Sequence, residues 1–254
     1  VNRYIFQCED SIDGIFTAVY DAWDSRYGHD NVYIEIPNEN SNYQLFSSYI
    51  QVATNSEKSE KVANTIRNKI SLEAFENVCR AALSCDVRKA DTIYRFIVIG
   101  LKLGSSVIGY LSNEVVSAIF EMNRNVSNEV HHYLGFLRFT ELKQNILYAK
   151  VNPKNNAITL MAPHFAERLP CENWIIHDEV RQLAIIHQTG EGWVQVGTTA
   201  IDFKQLGYVE DEEEMMIQLW KAFVDSIAIE DRRNLRLQQQ NLPLRFRGNM
   251  TEFQ

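Results

Sequence analysis

Apolar residues recur along this chain with two different periods, and the change between them falls near Gly135. Before it the spacing is mostly helical. Tyr4 to Cys8 reads as a short strand, after which Ser11 offers a cap for a helix with Ile12, Ile15, Phe16, Val19, Tyr20 and Trp23 on one face. Val32 to Ile36 alternates like a second strand and stops at Pro37, and Tyr49 to Ala53 reads as a third. From Ser56 the polar SEKSEK opens a helical run through Val62, Ile66 and Ile70, then Leu72 to Leu83, and then Ala90 to Leu103. The last of these is apolar nearly all round, the mark of a helix buried among others. Asn113 to Met122 and Ser127 to Leu134 continue the pattern, and Gly135 reads as a left-handed helix stop.

Beyond Gly135 the period becomes two. Phe136 to Leu142 and Ile146 to Val151 flank the polar KQN as a hairpin, and Ala157 to Met161 follows as the next strand. APHFAERLP is expected to be a short helix begun by Pro163 and ended by Pro170. Trp174 to His177, Gln182 to His187 and Trp193 to Val196 complete a meander whose turns carry Asp178, Gly190 and Gly192. A final helix is expected from about Glu212 to Gln240, ended by Pro243 before an extended LRFRGNMTEF. The fold class is therefore α+β: a mostly antiparallel sheet of about six strands covered by helices, with a strand-helix-strand amino-terminal part and a helical middle layer. The divisions expected are 1–56, 57–134 and 135–254, with 57–254 forming one compact unit.

Composition narrows the class without naming a chemistry. At 254 residues, 45% hydrophobic and 23% charged, the chain has the make-up of a globular protein. No apolar run approaches the roughly 20 residues of a membrane span, so no membrane association and a cytoplasmic location are expected. Cys8, Cys79, Cys85 and Cys171 are scattered with no CxxC pair, which favours buried reduced thiols over a zinc site, an iron–sulfur cluster or a disulfide framework. The net charge of −8 excludes a general nucleic-acid coat protein. Charge is uneven, however, because the acidic run Glu210 to Glu214 is followed by Arg232, Arg233, Arg236, Arg245 and Arg247.

The densest polar group is His164, Arg168, His177, Asp178 and Arg181. His164 and Arg168 lie four apart on the expected short helix and so share a face, while the other three sit at a turn end. If the two pieces meet, they supply two imidazoles that titrate near neutral pH, an orienting carboxylate in Asp178, and guanidiniums suited to phosphate. His164, His177 and Asp178 are then the catalytic candidates. Arg138, Arg168, Arg181, Arg245 and Arg247 are the candidates for binding nucleic acid or phosphate. The plainer alternative is a network in which Asp178 and Arg181 bridge a turn and the histidines satisfy nearby backbone. IIHD is also similar to the ligand motif of HD-type phosphohydrolases, but there the ligands sit on helices and here Trp174 to Ile176 reads as strand; no metal is assigned. Phosphate-binding loops, GxGxxG, GxSxG and HExxH are absent from the sequence, and no cofactor is expected.

The segments GFLRFTEL, LYAKVNP, APHFAERL and WIIHDEVR, the closing IAIEDRRNLRLQQQNLPLRFRGNMTEF and the opening YIFQCEDSIDGIFTAVYDAW resemble, over almost the whole chain, a bacterial family of unknown function known as probable DNA metabolism proteins. Members are typically encoded beside a DNA modification or repair radical-SAM protein and are sometimes fused to a uracil-DNA glycosylase-like domain. The resemblance implies a role in DNA repair or modification as a radical-SAM partner, with DNA as a second partner, and it supplies no reaction. The family pattern falls on Arg138, His164, Phe165, Arg168, His177, Asp178, Arg181, Arg245 and Arg247. The chain itself lacks both the CxxxCxxC triad and the glycosylase motifs. Two functions follow: an accessory protein that docks with the radical-SAM enzyme and helps present nucleic acid, or an enzyme acting on a nucleotide or modified base through the His/Asp/Arg cluster.

Overall fold

A computed structural model describes residues 3–37, 45–142, 145–199, 210–227, 229, 234–248, 250 and 253. Arg232 and Arg233, and Lys143 and Gln144 of the KQN turn, lie outside the described residues. The chain clusters into two compact units, Val1–Ser127 and Asn128–Gln254.

The first unit begins with β1 (Arg3–Gln7), α1 (Ile12–Asp24), β2 (Val32–Glu35) and β3 (Ser47–Gln51). The three strands form a parallel sheet in the order β2-β1-β3. Ser11 caps α1 as its sequence requires, its hydroxyl accepting from the Gly14 amide at 2.9 Å. Four helices follow: α2 (Ser56–Lys69), α3 (Leu72–Ala82), α4 (Lys89–Leu103) and, after a 3-10 turn at Gly104–Gly109, α5 (Glu114–Phe136). Phe6, Ile15 and Val32 share one core with Val62, Ile66, Ile93 and Ile119, so the amino-terminal strands and the helical layer bury each other's apolar faces. The packing is close at Gly100, where an added Cβ would stand 2.7 Å from Ile70. By length and composition alone the stretch Lys89–Gly109 is long and apolar enough to cross a membrane. Its residues Ile93, Tyr94, Phe96 and Ile97 are buried in this core.

In the second unit a mixed sheet of five strands has the order β4-β5-β6-β7-β8. The strands are β4 (Thr140–Leu142), β5 (Ile146–Val151), β6 (Asn173–Asp178), β7 (Leu183–Gln188) and β8 (Gly192–Gly197). Every pairing is antiparallel except β5 with β6, which run parallel. The reason is that Ala157 to Met161 is not a strand. It lies in and just before α6 (Ile158–Arg168), with Pro163 inside the helix instead of opening it. Ile158, Met161, Ala162 and Phe165 are buried at the i, i+3, i+4, i+7 spacing of a helix face. A helix between β5 and β6 is the crossover that parallel neighbours need, so the loss of one expected strand changes both the strand count and the sheet type.

Other expectations also change. α5 runs through Gly135 to Phe136, and that glycine is not among those with positive φ. Phe136 to Phe139 is accordingly not strand, and β4 begins at Thr140. The long last helix is α7 (Glu210–Ile227), which takes in the acidic run, and a separate α8 (Leu235–Asn241) capped by Asn234 at 3.0 Å. After Pro243 the chain is helical over α9 (Leu244–Arg247), not extended. Of the four cysteines Cys8 is buried and Cys79 partly so, but Cys85 and Cys171 are exposed.

Candidate functional site

Strand parity decides which polar groups of the second unit can meet. Trp174 and Ile176 of β6 share a core with Ile158, Met161 and Phe165 of α6, whereas Ile175 clusters with Tyr148, Leu142 and Ala184. Successive strand side chains face opposite ways. Asp178 therefore shares the α6 face and His177 the other. His164 belongs to α6, so the sheet stands between the two imidazoles, and the expected meeting of HFAER with the IHD strand end on one hollow does not occur. His164 itself is half-buried, edge-on to the Phe165 ring at 5.2 Å, with a buried Nε2 that has no hydrogen-bond partner among the described residues.

His177 is 7% exposed and bonded at both ring nitrogens: Nδ1 lies 2.8 Å from the Tyr148 hydroxyl and Nε2 lies 3.3 Å from Thr198 Oγ1. Burial holds its pKa below the ordinary histidine value, opposed in part by the Glu179 and Asp178 carboxylates. Burial thus favours the neutral form of an imidazole that two hydroxyls tie into the sheet.

On the other face, Asp178 (0% exposed) accepts from the Val180 amide at 3.0 Å and the Arg181 amide at 3.2 Å, and pairs with Arg181 Nη1 at 3.1 Å. Arg181 goes on to donate to the carbonyls of Pro153, at 2.9 Å, and Lys154. The amides of that same loop point at Glu129 of α5. Lys154 N donates to Oε1 at 3.0 Å, while Asn155 N and Nδ2 donate to Oε2 at 2.8 and 2.7 Å. Glu129 is 1% exposed and also receives Arg245 Nη1 of α9 at 2.9 Å. The loop between β5 and α6 is thus held by its carbonyls on a guanidinium and by its amides on a carboxylate, each polarity matched. Tyr133, one helical turn after Glu129, is raised to about 12, chiefly by burial and then by the Glu129 charge. Phe246 (1% exposed) seats α9 against the Tyr133, His132 and Phe136 rings at 5.0, 5.0 and 5.8 Å.

The structure brings together three of the residues expected from sequence: Asp178, Arg181 and Arg245. The others lie apart. Arg138 donates to the carbonyls of Gly135 and Leu137 at 3.0 and 3.2 Å, near the carboxyl end of α5. Arg247 lies over the Phe253 ring at 4.8 Å and reaches Gln238 at 3.5 Å. Arg168 is exposed and has no bonding partner among the described residues. Sequence reasoning missed Glu129, Tyr133, Asn155 and Tyr148. The available signal was Glu129 itself, an acid on the stripe Val126, Glu129, Tyr133, all three of which are buried.

A family model for a domain of unknown function, DUF4130, matches residues 87–252. The chain belongs to that family. No curated protein matches it. The DUF4130 match contains the whole network from Glu129 to Arg245 and begins after β1, α1, β2 and β3.

Proposed function

We propose that the chain is an accessory protein of DNA repair or modification that docks with a radical-SAM enzyme and helps hold its nucleic-acid substrate. The family resemblance of its motifs supplies the biological setting, including the occasional fusion to a uracil-DNA glycosylase-like domain. The observation that favours an accessory role over an enzyme is the sheet between His164 and His177, which divides the proposed acid and base between opposite faces. Arg181 and Glu129 spend their hydrogen bonds on one loop and Asp178 holds Arg181 in place, which suits a rigid scaffold better than proton transfer. Leu219, Trp220, Phe223 and Ile227 of α7 are exposed at helical spacing, as befits a protein that meets a partner.

The test is co-purification of the tagged chain with the neighbouring radical-SAM protein, with and without DNA, for the native chain and for Arg168→Glu. Association that persists in the variant while DNA retention drops supports the reading. Absence of association under both conditions removes it. Turnover of a nucleotide by the chain alone, abolished in His164→Gln, would replace it with the enzymatic reading.

A further inference from the structure

A groove of about 310 Å³ opens in the first unit among α1, α2 and α4. Its size lies at the small end of the roughly 300–1,000 Å³ typical of ligand sites. The floor is apolar, built from Val62, Ile97 and Leu101. Two aromatic side chains, Tyr20 and Trp23, form one wall. Trp23 is 44% exposed, although it falls on the face of α1 where the apolar pattern places core residues; its ring packs against His29 at 4.6 Å between centroids and remains partly open to solvent. The rim carries Lys61 and Lys69, both exposed and in no ion pair among the described residues, with the Lys61 ammonium 5.8 Å from the centre of the Tyr20 ring. Lys58, by contrast, is engaged with Asp21 at 2.6 Å and leaves the two rim lysines as the open cations. Asp24 on the same rim is an exposed acceptor in no ion pair among the described residues, although its charge reaches Lys58.

We infer that this groove binds a nucleobase together with its phosphate. The base would stack on Trp23 and Tyr20 over the apolar floor, the phosphate would sit between Lys61 and Lys69, and Asp24 would accept from an exocyclic amino group. Stacking platforms beside basic side chains are the general solution for unpaired nucleotides, because every base has a π-face and every phosphate a charge. The charge balance argues for an anionic occupant, since two unpaired ammonium groups face one carboxylate. An acceptor at Asp24 favours adenine, cytosine or guanine over uracil or thymine. The inference stands on this groove and does not require the accessory reading, whose proposed contacts lie in the second unit.

The experiment is calorimetric titration of the full chain with adenosine 5′-monophosphate, uridine 5′-monophosphate and an eight-residue single-stranded oligonucleotide, at low salt. Trp23→Ala, Lys61→Glu and Lys69→Glu are all changes at exposed positions, and circular dichroism checks that each variant is folded. Binding of the adenine nucleotide, weakened about tenfold or more by Trp23→Ala and by Lys69→Glu, supports the assignment. A weaker uridine nucleotide supports the role given to Asp24. Binding of the oligonucleotide alone, lost in the same variants, supports the same chemistry and identifies its source as a strand end. No binding of any probe at millimolar concentration overturns the inference. So does binding that survives all three variants, or that is lost only in Arg168→Glu. Protection of α1 and α2 from hydrogen exchange by a protein partner, with no nucleotide bound, gives the groove to a polypeptide instead.

Discussion

Replacing Glu129 with alanine separates the two things its carboxylate does. It accepts from two backbone amides and one side-chain amide, at 2.7 to 3.0 Å, and it pairs with Arg245 at 2.9 Å. Each buried donor left without an acceptor costs about 1–3 kcal/mol, so three donors set a gross loss of roughly 3–9 kcal/mol. Water entering the vacated space restores part of that, since a polar site with several donors is the kind that holds one. A net loss of about 3 kcal/mol is expected. The Arg245 side chain is 40% exposed, so its half of the pair is solvent-screened and its truncation to alanine should cost below about 1 kcal/mol. Urea unfolding measures both, and at a slope of roughly 1–3 kcal/mol per molar the Glu129→Ala midpoint should fall by about 1–3 M. Hydrogen exchange localises the effect: the Lys154 and Asn155 amides should lose protection in Glu129→Ala and keep it in Arg245→Ala. If Arg245→Ala proves as costly as Glu129→Ala, the ion pair and not the amide cradle holds the loop, and the reasoning is wrong.

Three further outcomes are expected. Burial lowers the folded pKa of His177 and of His132, the latter helped by Arg245, and the same holds for His29 in the first unit. The unfolded chain therefore binds more protons below the ordinary value of 6.5, so stability is full above that pH and is lost as pH falls through it; a His177→Gln midpoint that falls as steeply as the native one would assign the slope elsewhere. Tyr148→Phe leaves His177 Nδ1 without its 2.8 Å partner in a buried site and should cost about 1–3 kcal/mol in urea unfolding, against almost nothing if water replaces the hydroxyl. With a thiol reagent under native conditions, Cys85 and Cys171 should react, while Cys8, whose thiol burial raises to about 12, and Cys79, raised by burial to about 11, should wait for denaturant; prompt modification of Cys8 would mean that the first unit opens locally.

Much of the fold is legible in the sequence because its elements announce themselves by cap and period. Ser11, Asn55 and Ser71 each accept a capping bond at the start of α1, α2 and α3. The meander of β6, β7 and β8 is marked by Gly190 and Gly192 with φ of 83° and 84°. What defeats the reading is the segment AITLMAP. Six apolar or β-branched residues before a proline fit a strand, and they fit equally well the first turns of a buried helix. Pro163 is the sixth of the eleven residues of α6, past the first turn, and costs the helix the backbone bond its missing N–H would have made. That single misreading also hid the site, because with α6 taken as strand plus short helix nothing reveals that His164 and His177 lie on opposite faces.

The arginines show why a motif rich in guanidinium is a poor guide to a binding surface. An arginine carries five donors in a fixed fork, and a fold with exposed carbonyl ends is as good a customer for them as a phosphate. Arg138 covers carbonyls near the end of α5, Arg181 holds the Pro153 and Lys154 carbonyls to Asp178, and Arg245 closes on Glu129. Each is drawn to a place where backbone acceptors or a buried carboxylate would otherwise be unsatisfied, and such places are created by helix ends and by loops between layers. Arg168 faces none of these and stays in solvent. Of those four residues, all alike in sequence, three are drawn into contacts within the second unit, and only Arg168 finds none among the described residues.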